Sequence, residues 1–221
     1  MLGVVKADPE AVLGLATGST PIGMYREMIR DHEENGTSYR NVRTVNLDEY
    51  AGLDETSDQS YVYFMRKNLF DSLDIDRKNT NIENGKAADR EKECERYNAL
   101  LHEMQQSVQV LGIGSNGHIA FNEPGTPFSS ETHIVDLTES TIKDNSRMFA
   151  SIDEVPRQAY TMGIATIMRA KCVLMVVSGK DKAEILKKSF FGPITPQVPA
   201  SILQLHPNFV LIADEDALSA L

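Results

Sequence analysis

The chain has 221 residues, 41% of them hydrophobic and 24% charged, with a formal net charge of −10 at pH 7. This length and apolar content suit one domain over residues 1–221 with a sizeable core, and the acidic balance without any basic tract argues against nucleic acid or anionic membranes as partners. There is no apolar run of about 18 residues and no signal-peptide pattern, and Cys94 and Cys172 lack CxxC spacing, so the expectation is a cytoplasmic protein with reduced thiols.

Taken in order, Met1 to Glu10 reads only as the tail of a helix. Ala11 to Ala16 is a short apolar run and a predicted central strand. It leads into Thr17-Gly18-Ser19-Thr20-Pro21, where hydroxyls, a glycine and a proline suited to a first helical turn make an anion cradle or an ordinary helix cap. A helix through Met24, Tyr25, Met28 and Ile29 follows. Asn41 to Leu47 is the second predicted strand, ending in Asp48-Glu49-Tyr50. Adjacent carboxylates at a strand tip read as a solvated loop or as a general base at the mouth of a pocket. A helix over Asp58 to Leu73, capped by Asp58, carries an aromatic stripe expected in the core. A short strand is expected around Thr80 to Ile82, then a long charged helix over Ala87 to Gln106.

Val108 to Pro124, VQVLGIGSNGHIAFNEP, organises the rest. A β-branched strand breaks into Gly112, Gly114 and Gly117, and the loop delivers Asn116, His118, Asn122 and Glu123. Open α/β sheets hold ligands outside the carboxyl ends of their strands, where this loop is expected. Gly125 to Thr132 is turn-rich, and 125–150 is a lid candidate. His133 to Leu137 is a short strand, and Thr138 to Ala150 a helix region containing Arg147, which alone reads more simply as a surface ion pair. Gln158 to Ala170 is a strand or turn entering a short helix. Cys172 to Val177 is the most continuous apolar run, a strand buried on both faces. It turns at Gly179 into a helix whose early lysines, Lys180 and Lys182, oppose the helix dipole and suit an anion ligand better than stability. Pro199 to His206 is a short helix, Phe209 to Ala213 the last strand, and Asp214 to Leu221 the start of a closing helix. The fold class expected is α/β: a doubly wound, mostly parallel sheet with helices on both faces, three-layer and Rossmann-like.

The blocks LATGSTP (Leu15–Pro21), NLDEYAGL (Asn46–Leu53), LGIGSNGHIAFNEPG (Leu111–Gly125), NSRMF (Asn145–Phe149), SGKDKAE (Ser178–Glu184) and PASILQLHP (Pro199–Pro207) occur in an order that resembles glucosamine-6-phosphate deaminases, in their short, non-allosteric branch. The resemblance implies conversion of glucosamine 6-phosphate and water to fructose 6-phosphate and ammonia, with no cofactor and no metal. It implies Asp48 as the base that shuttles a proton from C2 to C1, His118 as the group that opens the sugar ring, and Asn116 and Glu123 as the residues that hold that histidine. It implies Gly18, Ser19, Thr20, Arg147 and Lys182 as phosphate ligands. Thr126 to Val135 has no lysine or arginine, unlike the activator-binding stretch of allosteric members. A monomer or small homo-oligomer is therefore expected, not an allosteric hexamer. A first strand and helix seen in the family are expected to be missing from the N-terminus. Two rival readings are a 6-phosphogluconolactonase-like hydrolase, which needs no C2 base, and a non-catalytic sugar-phosphate sensor.

Overall fold

The computed structural model describes residues 1–146 and 149–221. In chain order its first half comprises α1 (Leu2–Ala7), β1 (Val12–Leu15), α2 (Ile22–Asn35), β2 (Arg43–Asn46), β3 (Asp48–Tyr50), α3 (Tyr61–Asn68), β4 (Thr80–Asn81), α4 (Arg90–Glu103) and β5 (Val108–Leu111). The second half comprises β6 (His133–Asp136), α5 (Glu139–Asn145), β7 (Gln158–Thr161), α6 (Ile164–Met168), β8 (Val173–Val177), α7 (Ala183–Phe191) and β9 (Phe209–Ala213).

Six strands form one sheet in the order β4-β2-β1-β5-β8-β9, and every pairing in it is parallel. The chain builds outward from β1 to β2 and β4, then restarts beside β1 with β5 and builds the other way. The loops after β1 and β5 therefore leave adjacent strands in opposite directions, which opens a crevice at their carboxyl ends.

Alternation along the strands feeds two cores. Val45, Val110 and Met175 pack with Tyr97 and Leu101 of α4 and Leu186 of α7 on one face. Leu13 and Leu15 pack with Val5 of α1, Tyr25 and Met28 of α2 and Met65 of α3 on the other. The architecture is the expected doubly wound α/β sheet with helices on both faces. Among the described residues no helix is long and apolar enough to cross a membrane.

A second sheet was not expected. Asp48–Glu49–Tyr50, read from the sequence as a loop, forms β3 and pairs antiparallel with β7, which pairs with β6. Two carboxylates hide a strand from any propensity argument, and here cross-strand pairing decides the conformation. Leu47 is the joint: its N–H reaches Leu15 in the main sheet at 3.2 Å, and its carbonyl accepts from Met162, just past β7, at 2.6 Å.

Other boundaries also differ from the sequence reading. The cap of α3 is Ser60, not Asp58, and the helix ends at Asn68 before a 3-10 turn over Phe70–Ser72. Helix α4 is shorter than 87–106 and starts from Asp89, whose carboxylate accepts from the Lys92 N–H. Pro199–Leu205 is 3-10 rather than α-helical. Asp214 to Ala220 forms successive turns instead of a closing helix, because the Asp214 carboxylate turns back to the N–H groups of Gly179 and Ala217.

The second sheet is clamped to residues 130–131 at Gly163. A Cβ on Gly163 would lie 2.1 Å from the Ser130 carbonyl and 2.3 Å from that of Glu131. Neither atom is a side-chain end that can swing away. Gly163→Ala is therefore expected to destabilise the fold by about 1–3 kcal/mol, read as a lowered Tm and denaturation midpoint; an unchanged midpoint would show that the 130–131 segment yields freely.

Candidate active site

The loop after β1 and the loop after β5 line a single cavity of about 870 Å³. Thr17, Gly18 and Thr20 contribute from the first loop, Gly112, Gly114, Ser115 and His118 from the second, and Asp48 from β3. Lys182 reaches the same cavity from the turn before α7. Of the residues singled out from the sequence, Asp48, His118, Gly18, Thr20 and Lys182 thus share one space. Ser19 is exposed and does not line the cavity, and neither does the alternative cation Lys180. Arg147 lies outside the described residues.

The paired carboxylates of β3 point to different tasks. Glu49 is buried and accepts hydrogen bonds from the backbone N–H groups of Tyr50, Tyr61 and Val62 at 2.8 to 3.1 Å. The N-terminus of α3 is thereby seated on a carboxylate, where its free N–H groups and dipole favour negative charge. Asp48, one residue away and on the other face of the strand, goes to the cavity. Loss of solvent, with the Glu49 charge adding to it, pushes the Asp48 carboxyl up to about 8. Burial pushes Glu49 up to about 7 against the pull of its backbone donors. Glu83 is buried nearby with neither carboxylate oxygen hydrogen-bonded among the described residues. Burial, reinforced by Asp48, Glu49 and Glu93, raises it well above the carboxylate range.

The β5 loop forms a compact hydrogen-bonded unit. The Asn116 side chain receives the His118 backbone N–H at 3.1 Å and donates to Glu123 Oε2 at 2.7 Å. Glu123 Oε2 lies 3.7 Å from His118 Nδ1, too far for a hydrogen bond. Burial would raise the Glu123 carboxyl, but His118, the Thr141 hydroxyl and the Asn116 amide outweigh it and hold it down to about 2. Asn116 and Glu123 do not line the cavity; they sit around the histidine.

Part of the wall was missed in the sequence. Thr141 and Lys143, on α5, line the cavity; the Thr138–Thr141 capping pattern was the available signal, and nothing in it pointed inward. The aromatic stripe of α3, expected as core, also supplies wall: Tyr61 and Phe64 face the cavity, and Tyr61 stacks on Phe121 with ring centroids 6.4 Å apart.

Residues 3–211 match the family described as glucosamine-6-phosphate isomerases/6-phosphogluconolactonase. The chain belongs to this family. It is 53% identical over 220 residues to a glucosamine-6-phosphate deaminase of Geobacillus sp. (strain WCH70), covering 99% of this chain and 88% of that one. It is 50% identical over 218 residues to a glucosamine-6-phosphate deaminase of Clostridium perfringens, covering 98% and 90%. A solved monomeric glucosamine-6-phosphate deaminase superposes with a TM-score of 0.98 at 47% identity, over 100% of this chain and 92% of the other. A 6-phosphogluconolactonase of Trypanosoma brucei superposes at 0.77 with 20% identity, over 100% and 91%, and shares the fold.

Two outcomes follow from this geometry. A Cβ on Gly114 would lie 2.2 to 2.4 Å from the imidazole of His118, so Gly114→Ala must displace the ring. The expected result is a fall in kcat of about 100-fold with far-UV circular dichroism unchanged; unaltered kcat would show that the ring need not stay where it is. For Asp48, the folded group titrates near 8 and an unperturbed one near 3.8. Between those values the folded chain holds a proton that the unfolded chain has lost, so stability falls as pH rises across that window. Asp48→Asn is expected to melt at least about 3 °C above wild type at pH 8, the shift that about 1 kcal/mol produces in a domain of this size, and to converge with it near pH 4. Calorimetry at the two pH values checks both.

Proposed function

We infer that this chain converts glucosamine 6-phosphate and water to fructose 6-phosphate and ammonia. The observation that carries the reading is that a buried carboxylate with a raised proton affinity, Asp48, and the carboxylate-backed imidazole of His118 open onto one cavity. Relatives about half identical over nearly the whole chain carry this activity.

In the proposed sequence His118 takes the proton of the ring hydroxyl and returns one to the ring oxygen, which opens the sugar. Asp48 then removes the proton from C2; the electron pair forms the C1–C2 double bond of an enolamine that keeps its nitrogen on C2, and O1 takes up charge and proton. Asp48 returns its proton to C1, leaving an imine at C2 that water attacks to expel ammonia. A base whose proton affinity lies near the working pH is suited to both halves of such a shuttle. Of the main-chain N–H groups in the Gly112–Gly117 loop, those of Gly114 and Gly117 are bonded to the carbonyls of His118 and Gly114, and the others would serve developing charge on O1. Asn116 and Glu123 would keep the imidazole oriented. Gly18, Ser19, Thr20, Lys182 and Arg147 would hold the phosphate. Within the 125–150 lid candidate, α5 would be the part that closes over the sugar, since β6 is paired in the second sheet and residues 130–131 pack against Gly163.

Lactone hydrolysis calls for no base at C2, so Asp48 weighs against the hydrolase alternative, and a mere sensor would need neither acid nor base. A monomer is the assembly we propose, supported by the monomeric relative of closely similar structure, and a cytoplasmic location fits two free thiols and a sugar-phosphate substrate.

Ammonia release from glucosamine 6-phosphate, coupled to glutamate dehydrogenase, tests the reading. Asp48→Asn is expected to bind the sugar phosphate normally and lose at least about 1,000-fold in kcat, whereas Lys182→Ala is expected to raise KM about tenfold or more with a smaller effect on kcat. Near-wild-type turnover in the Asn variant would reject Asp48 as the base, and an unchanged KM in the Ala variant would remove Lys182 from the phosphate site.

A further inference from the structure

Glu123 is shared between two elements. Its Oε2 serves the β5 loop, through Asn116 and His118. Its Oε1 accepts the Thr141 hydroxyl at 2.6 Å and the Thr138 hydroxyl at 3.3 Å. Thr138 caps α5 and Thr141 lies in its first turn; the Thr138 hydroxyl also lies 3.0 Å from that of Thr141, and its one proton goes either there or to Glu123. Thr141 is 5% exposed, and its short contact is that of a charge-assisted O–H···O⁻ bond, among the strongest a neutral side chain makes. The same helix carries Lys143 to the cavity wall. One oxygen of the carboxylate thus reports on α5 while the other acts on the imidazole.

Resting on the deaminase reading, we propose that Thr141 is a positioning residue for the reaction: its hydroxyl holds Glu123 in place and draws off part of its charge, so that α5 sets how firmly His118 retains a proton. The physical sense is fixed. A carboxylate that donates one lone pair to a hydroxyl has less negative charge to offer a neighbouring imidazolium. Taking the hydroxyl away leaves the charge less shared, in a buried setting where it is poorly screened, and the imidazolium is held more tightly. Of the other groups facing this pair, the Thr138 hydroxyl approaches the same oxygen at 3.3 Å, against 2.6 Å for Thr141, and at that length it replaces little of the Thr141 bond. Asn116 donates to Oε2, the oxygen already turned to the histidine. Asp48, Asp58 and Asp181 reach His118 only across the cavity that it lines with them, as do the cations Lys143 and Lys182; Tyr50 and Tyr61 complete the titratable lining. A helix that bears a cavity cation and grips the catalytic loop lets occupancy at the cavity wall be felt at the proton-transfer group.

The test is an NMR titration of the His118 imidazole in the free protein, assigned with a His118→Gln variant, for wild type and for Thr141→Val and Thr141→Ser. The midpoint is expected to move up by about half a unit or more in the Val variant and to return to the wild-type value in the Ser variant. Thr141→Cys, nearly isosteric with a weaker donor, is expected to move it in the same direction by less, and gives the readout if the Val variant fails to fold. In parallel, the acidic limb of kcat/KM for ammonia release should follow the same order, with KM changing less than kcat. A midpoint that stays put in Val and Cys, or that moves equally in Ser and Val, overturns the proposal. Absence of ammonia release in wild type would overturn the deaminase reading instead, and the titration distinguishes the two failures because it needs no turnover.

Discussion

Glu49 accepts the backbone of Tyr50, Tyr61 and Val62 on one carboxylate, and two walls of the cavity depend on it. Those hydrogen bonds seat the N-terminus of α3 on β3, so the aromatic side chains of the helix and the acid of the strand arrive together. Because side chains alternate along a strand, committing Glu49 to the helix commits Asp48 to the opposite face. The pairing of β3 with β7 then holds that face against the cavity. Without Glu49, the Tyr61 and Val62 N–H groups that open α3 would lose their acceptor, and the strand would lose the contact that distinguishes its two faces.

Two carboxylates near the same substrate space are driven apart by their surroundings. Glu123 is surrounded by donors and stays ionised at any ordinary pH. Asp48 is buried with an acidic neighbour and retains a proton until about pH 8. Such a divergence is how one fold runs orientation and proton transfer side by side. Asn116 fits this division: an amide can bridge the histidine backbone and the glutamate without adding a third charge to the loop. The two carboxylates thus differ in that one is solvated by protein donors and the other is left dry.

The main sheet was legible because its strands are short apolar runs that each end in a polar turn, and the pattern survives even where helix ends were misjudged. The glycine-dense β5 loop likewise announced His118, Asn116 and Glu123, since few packing needs call for that spacing. What could not be read was the second sheet, whose β3 is made of residues that look like a loop, and the inward faces of α3 and α5. Tyr61 and Phe64 satisfy a core pattern equally well when one side of the core is a cavity. Ser19 and Thr20 are adjacent and chemically alike, yet only Thr20 lines the space; that difference lies in local backbone path, which composition does not encode. Segment 138–146 carries Thr141 to Glu123 through a contact between residues 18 apart, a separation at which no periodicity speaks.

The central pairing of the sheet joins Leu13 to Val108. The two halves of the crevice are therefore brought together by a contact between segments made early and midway in synthesis, with β2, β3, β4 and three helices between them. Closing so long a loop costs entropy before any packing offsets it. A nascent chain that has reached β4 holds the turn after β1, but it has neither the imidazole nor β7, the strand that pairs with β3 and holds the acid in place. The acid and the imidazole can face one another only when both the β1–β5 and the β3–β7 pairings have formed.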